Sequence, residues 1–186
     1  MWGVIYGLHF FVPIMLKQNT ECYIVNTASV AGLIGGASND PYIVSKHGVV
    51  ALSEALYREL PMLGNKKIGV SVLCPGVINT NILDSTRNRP ANLRNAPGEE
   101  TMDMSDPKVQ AMMRYIKQIF EKGMSPQEVA DIVFNAIKEK SFTFCLMQKF
   151  INPRCTRGWK ILIKSAIQPR YKSTISKPFF GLLVAW

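Results

Sequence analysis

The chain has 186 residues, enough for one globular domain. Lys and Arg number 22 against 13 Asp and Glu, for a net charge of +9. Residues 1–141 hold 14 basic and 13 acidic residues, and residues 142–186 hold 8 basic and none acidic, so the body is near neutral and a generally basic surface is excluded. A hydrophobic fraction of 47% with 19% charged residues excludes a disordered chain, and four cysteines with no C-x-x-C pair and only two histidines argue against a disulfide-dense scaffold and a zinc or other metal site.

Residues 1–16, MWGVIYGLHFFVPIML, are almost wholly apolar. No basic residue precedes them, Pro13 interrupts them, and they fall short of the roughly 20 residues a spanning helix needs. The pattern predicts a helix over 3–18, buried or at an oligomer interface, and no membrane span. With its cysteines expected as thiols, the protein is placed in a reducing compartment, the cytoplasm. Residues 22–27, CYIVNT, read as a strand entering a small-residue turn, and 30–40 as a loop rich in Gly, Ala, Ser and Asn. Pro41 suits the first turn of a helix running to about Leu60, with Val49, Val50, Leu52, Leu56 and Leu60 among its apolar positions. Residues 67–74, KIGVSVLC, fit a strand of a parallel sheet covered on both faces, ended by Pro75-Gly76. A long polar loop over 79–105 precedes a helix at 106–122. Ser125-Pro126-Gln127-Glu128 is a capping box opening another helix, and FTFCLM at 142–147 reads as a last strand. The order is α/β, with parallel strands expected to be joined by right-handed crossovers. One short helix is expected between Pro153 and Pro169.

Chemistry concentrates in three places. Tyr42 and Lys46 are four apart on a predicted helix, hence on one face and one turn apart. A phenol is a poor base at neutral pH because it titrates near ~10. A neighbouring ammonium favours its ionised form, since two unit charges about 5 Å apart interact by on the order of 3 kcal/mol at an effective dielectric of about 20. Ser29 lies 13 residues before Tyr42 at a strand end, where its hydroxyl can hold a substrate oxygen or close a local turn. Pro75-Gly76-Val77-Ile78-Asn79-Thr80 follows the next strand at its carboxyl end, the edge at which open parallel sheets bind ligands.

The blocks IVNTASVAGL, PYIVSKHGVVALSEAL and GVSVLCPGVINT resemble, in order and spacing, the short-chain dehydrogenases/reductases, over roughly residues 1–140. The resemblance implies a partial Rossmann-like doubly wound parallel sheet, and a hydride-transferring oxidoreductase acting between NAD or NADP and a small alcohol or carbonyl substrate. By resemblance Tyr42 is the general acid/base. Lys46 favours the Tyr42 phenolate and binds the nicotinamide ribose, and Ser29 positions the substrate. Pro75, Gly76, Val77 and Ile78 line the nicotinamide pocket, Thr80 meets the carboxamide or pyrophosphate, and the loop from Asn79 onward is the substrate lid. Helices 3–18 and 41–60 are implied in a homo-oligomer interface.

The family's N-terminal βαβ unit, with the glycine-rich turn that seats a pyrophosphate, is missing. Gly32, Gly35 and Gly36 lie between Ser29 and Tyr42 instead, and the family's catalytic Asn would fall just before residue 1. The sequence thus reads as the catalytic half, residues 1–141, followed by a basic tail, 142–186, poorly matched to the family. Strand 22–27 is expected to present an unpaired edge. The alternative to an oxidoreductase is an inactive truncated remnant that keeps the fold and the interface helices. A third reading takes the tail, where Arg157, Lys160 and Lys164 flank Trp159, as a contact for acidic surfaces. It leaves the Ser29, Tyr42 and Lys46 spacing as coincidence, so no nucleic-acid partner is expected.

Overall fold

The structure is a computed structural model that describes residues 1–35, 40–94, 103–140 and 143–146. The proposed helix between Pro153 and Pro169 and the tail basic residues lie outside these. Helix α1 spans Trp2–Gln18, strand β1 Cys22–Thr27, helix α2 Asp40–Met62 and strand β2 Ile68–Pro75. Helix α3 spans Pro107–Glu121, helix α4 Pro126–Lys138 and strand β3 Thr143–Leu146. The expected polar loop contains short 3₁₀ turns over Asn81–Asn88 and Ala91–Leu93.

Each boundary has a local cause. Asn19 turns α1 off in the left-handed region, and Lys67 Nζ donates to its carbonyl at 2.8 Å. At the end of α2, Gly64 adopts φ 77°; its N–H bonds the Pro61 carbonyl and that of Asn65 bonds the Leu60 carbonyl, a Schellman closure. The Asp106 side chain caps α3. In α4 the expected capping box is present, with Ser125 and Glu128 each accepting from the other's backbone N–H.

The three strands are parallel in the order β1–β2–β3, paired from Cys22↔Ile68 through Thr27↔Leu73 and from Val72↔Thr143 through Pro75↔Leu146. β2 is central, which is why its sequence is nearly continuously apolar. Among the described residues β1 forms a sheet edge. Ile68, Val70, Val72 and Cys74 face α2, packing with Val49, Val50 and Leu60, and with Val4, Met15 and Leu16 of α1. The alternate residue Leu73 packs on the other face with Ala136, Val129, Ile132 and Val133 of α4. Helices thus cover both faces, giving the doubly wound parallel arrangement of the expected fold class.

Two expectations are corrected. With consecutive strands in one direction and α2 and α4 on opposite faces, the two crossovers have opposite hands, so they are not both right-handed. The second connection is no simple strand–helix–strand unit. It passes through α3 and re-enters beside the sheet through an isolated bridge, Ile78↔Met124, which delivers α4 to the face that α1 and α2 leave free. Nor is α1 buried: none of its residues is, because only Val4, Met15 and Leu16 reach the core. Trp2, Tyr6, Phe10 and Ile14 recur every four residues as an exposed stripe, with Trp2 and Tyr6 stacked at 5.8 Å between ring centroids.

Candidate active site

The carboxyl ends of β1 and β2 lie side by side, and the chain leaving each is held by its own contacts. After β1, the Ala28 N–H continues the ladder by donating to the Leu73 carbonyl at 2.8 Å. Ser29 is buried; its Oγ accepts from the Ala31 N–H at 3.1 Å and donates to the Pro75 carbonyl at 3.5 Å. Thus Ser29 both closes its local turn and joins the ends of the two strands. The turn continues as a 3₁₀ helix, Val30–Gly32, seated on α2. A Cβ at position 32 would lie 2.6 Å from the Lys46 carbonyl oxygen, so only glycine permits this approach.

Helix α2 brings the second group. The Lys46 Nζ donates to the Thr27 carbonyl at 3.4 Å and stands 5.5 Å from the centroid of the Tyr42 ring. The aligned spacing therefore places phenol and ammonium together, and the ammonium is tied to the end of β1. Tyr42 is 41% exposed, and its hydroxyl has no hydrogen-bond partner among the described residues. The Ser29 hydroxyl is not bonded to it; the bonds of Ser29 go to Ala31 and Pro75.

A buried polar chain supports this corner. Asn26 Nδ2 donates to Ser53 Oγ at 2.9 Å, and Ser53 donates to the Val49 carbonyl at 2.7 Å. It fastens the end of β1 to α2 one residue before Thr27.

The third group follows β2. Pro75, Gly76, Val77 and Ile78 are partly buried, and Asn79 and Thr80 are exposed. The Met124 N–H donates to the Val77 carbonyl at 3.2 Å, the Asn79 N–H donates to the Met124 carbonyl at 2.9 Å, and Asn79 Nδ2 donates to the Glu121 carbonyl at 3.1 Å. Gly123 permits this contact, since a Cβ there would lie 2.9 Å from the Asn79 nitrogen. Sequence reasoning missed Asn79, Gly123 and Met124 as the bracket holding the segment; the one available signal was the glycine between α3 and the capping box. Thr80 precedes the 3₁₀ turn without a side-chain capping bond, leaving its hydroxyl uncommitted there. Among the described residues no three His, Cys, Asp or Glu side chains gather as metal ligands, and no helix is long and apolar enough to cross a membrane.

Lys46 has three N–H groups and one hydrogen bond among the described residues, which leaves two for a polyhydroxylated ligand. The arrangement is chemically an exposed phenol beside a cation at a parallel-sheet carboxyl edge, suited to moving one proton to or from a bound oxygen.

Comparison with known proteins adds the wider context. A family profile described as short chain dehydrogenase matches residues 1–91. The chain is 29% identical over 154 residues to the CLA biosynthesis dehydrogenase/reductase of Lactiplantibacillus plantarum, covering 80% of this chain and 50% of that protein. It is 36% identical over 119 residues to a putative ketoacyl reductase of Streptomyces coelicolor, covering 64% of this chain and 41% of the relative. A short chain dehydrogenase/reductase from Burkholderia phymatum, solved in complex with NAD, superimposes with a TM-score of 0.69 at 36% identity, covering 93% of this chain and 59% of that one. The chain therefore spans about half the length of the curated relatives it matches.

Proposed function

The chain belongs to the short-chain dehydrogenase family, and on that premise we propose that it carries the proton-transferring half of an NAD(P)-dependent interconversion of a small alcohol and its carbonyl. The observation that carries this reading is the Tyr42–Lys46 pair, with the ammonium held on the Thr27 carbonyl at the strand edge where Ser29 meets Pro75. NAD or NADP supplies or accepts the hydride at the substrate carbon. In the reducing direction the Tyr42 hydroxyl gives its proton to the substrate oxygen; in the oxidising direction the phenolate takes it back. Lys46 stabilises the phenolate by its charge, and its two remaining N–H groups bind ribose hydroxyls. Ser29 positions the substrate oxygen, which requires its hydroxyl to turn from the long Pro75 contact. Pro75, Gly76, Val77 and Ile78 wall the nicotinamide, and the uncommitted Thr80 hydroxyl binds its carboxamide or the pyrophosphate.

These residues suit the nicotinamide and ribose end of the cofactor. The sequence carries no glycine-rich turn between a strand and a helix for the pyrophosphate, so these residues centre on the nicotinamide end and reach the pyrophosphate only through Thr80. On this reading the chemistry sits within residues 1–141, strand β3 just beyond them completes the sheet, and the protein works in the cytoplasm on a small molecule. The exposed apolar stripe of α1 supports the assignment of α1 and α2 to a homo-oligomer interface.

The test is titration of the purified chain with NADH and NADPH, followed by fluorescence, and carbonyl reduction by the parent and Tyr42→Phe. Binding at or below millimolar cofactor is expected, and Tyr42→Phe is expected to lower turnover about 100-fold or more while binding persists. No binding at millimolar levels would instead favour the inactive remnant.

A further inference from the structure

Two adjacent residues at the end of β1 meet α2 at points two turns apart. The Thr27 carbonyl accepts from the Lys46 ammonium at 3.4 Å, and the Asn26 amide donates to Ser53 Oγ at 2.9 Å. Lys46 and Ser53 are seven residues apart, hence on one face of the helix and about 10 Å apart along its axis. The first contact is long and exposed; the second is shorter and buried.

The buried contact has a fixed polarity. The single O–H of Ser53 is committed to the Val49 carbonyl at 2.7 Å, so toward β1 its oxygen can only accept. Position 26 must therefore supply a donor. Asn26 Nδ2 supplies it, on the face of the sheet where its register partner Val72 is fully buried. The surrounding packing of Val49, Val50 and Leu60 on β2 holds the helix against the sheet, but burial of apolar surface is non-directional and leaves the helix free to slide. A hydrogen bond is directional, and inside a low-dielectric core it is strong.

We infer that Asn26 and Ser53 are positioning residues for the cationic side of the site. They set how far α2 is slid along β1, and so bring the Lys46 ammonium to the Thr27 carbonyl and beside the Tyr42 ring. Both are buried and act through Lys46. A lysine on its flexible four-carbon stem keeps its charge wherever it points, so what the buried pair contributes is its direction. The inference rests on the reading of Lys46 as the cation that binds ribose and favours the phenolate, and it adds what holds that cation in place.

The experiment compares the full 186-residue chain with Asn26→Ala, Ser53→Ala and the double variant, under conditions where each is folded by far-UV circular dichroism. Ser53→Ala, which introduces a good helix former, carries the test where Asn26→Ala does not fold. Trace acetylation with acetic anhydride, followed by mass spectrometry, reads the reactivity of Lys46 against that of Lys17, an exposed lysine near the end of α1. Each single variant should raise the Lys46 to Lys17 ratio about fivefold, the equivalent of one lost hydrogen bond. The double variant should raise it no further, because the two residues form one contact. NADH affinity should fall in parallel. Leu56→Ala trims the packing of α2 on the core and spares the polar chain, so it should lower the unfolding midpoint without moving the ratio. The inference is overturned if the single variants keep the parental ratio, if their effects multiply in the double variant, or if Leu56→Ala raises the ratio as much as Ser53→Ala. A parent that binds no NADH removes the redox reading of Lys46 and leaves the labelling to decide the positioning role. A parent that binds NADH, with labelling unchanged in the variants, removes the positioning role alone.

Discussion

Strand β2 and helix α1 draw on the same apolar residue types and end in opposite surroundings. Val72 and Cys74 are 0% exposed, between two strands and beneath helices on both faces, whereas Phe10 on α1 is 63% exposed. Hydropathy alone does not separate them. What separates them is the number of faces the rest of the chain can cover: β2 has neighbours on four sides, and α1 meets the core through three side chains. A hydrophobic run reports a demand for burial, and the topology decides whether the same chain meets it.

The sharpest way to break this comparison is Val72→Asp. An unpaired carboxylate at the sheet centre should cost about 3–5 kcal/mol, read as a lower urea midpoint or loss of the cooperative transition. A change within the range of a surface substitution would mean that β2 is not the centre of the core. Phe10→Ser probes the other side. It should alter unfolding by no more than about 0.5 kcal/mol, because little packing is lost, while reducing concentration-dependent self-association in size-exclusion runs. A penalty of core size would mean that the stripe is covered in the isolated chain.

The smallest effect lies at the rim, where Glu128 is fully exposed. Hydrogen bonds from the Ser125 backbone N–H, and next from its hydroxyl, hold the Glu128 carboxyl below its ordinary value. A depressed folded-state value contributes stability that is present above the unfolded-state pKa and lost as the pH falls through the folded-state pKa. Thermal unfolding of Glu128→Ala should therefore trail the parent at neutral pH and converge with it in acid. A gap that persists below the carboxylate range would assign the loss to contacts of the uncharged side chain and not to the charged cap, since alanine is the better helix former.

Much of the fold was legible locally. β1 and β2 are apolar runs with turn residues at their ends, α4 announces itself through Ser125 and Glu128, and Tyr42 and Lys46 meet because four residues make about one helical turn. The remainder is long-range. Nothing in the spacing of Asn26 and Ser53 indicates that they bond across 27 positions. The approach of Gly32 to the Lys46 carbonyl and the bracket of Gly123 and Met124 on Val77 and Asn79 are likewise products of assembly. The opposite hands of the crossovers escaped for the same reason, since strand order carries no record of which face a long connection will choose. The Ser29 hydroxyl, expected to hold a substrate oxygen or close a local turn, does close that turn and also reaches the Pro75 carbonyl 46 positions away, a partner that spacing does not reveal.

The seating of position 32 on α2 has a mechanical consequence. The serine turn is docked by direct van der Waals approach to the lysine backbone, so any side chain at 32 would wedge the two apart and carry the serine away from the lysine.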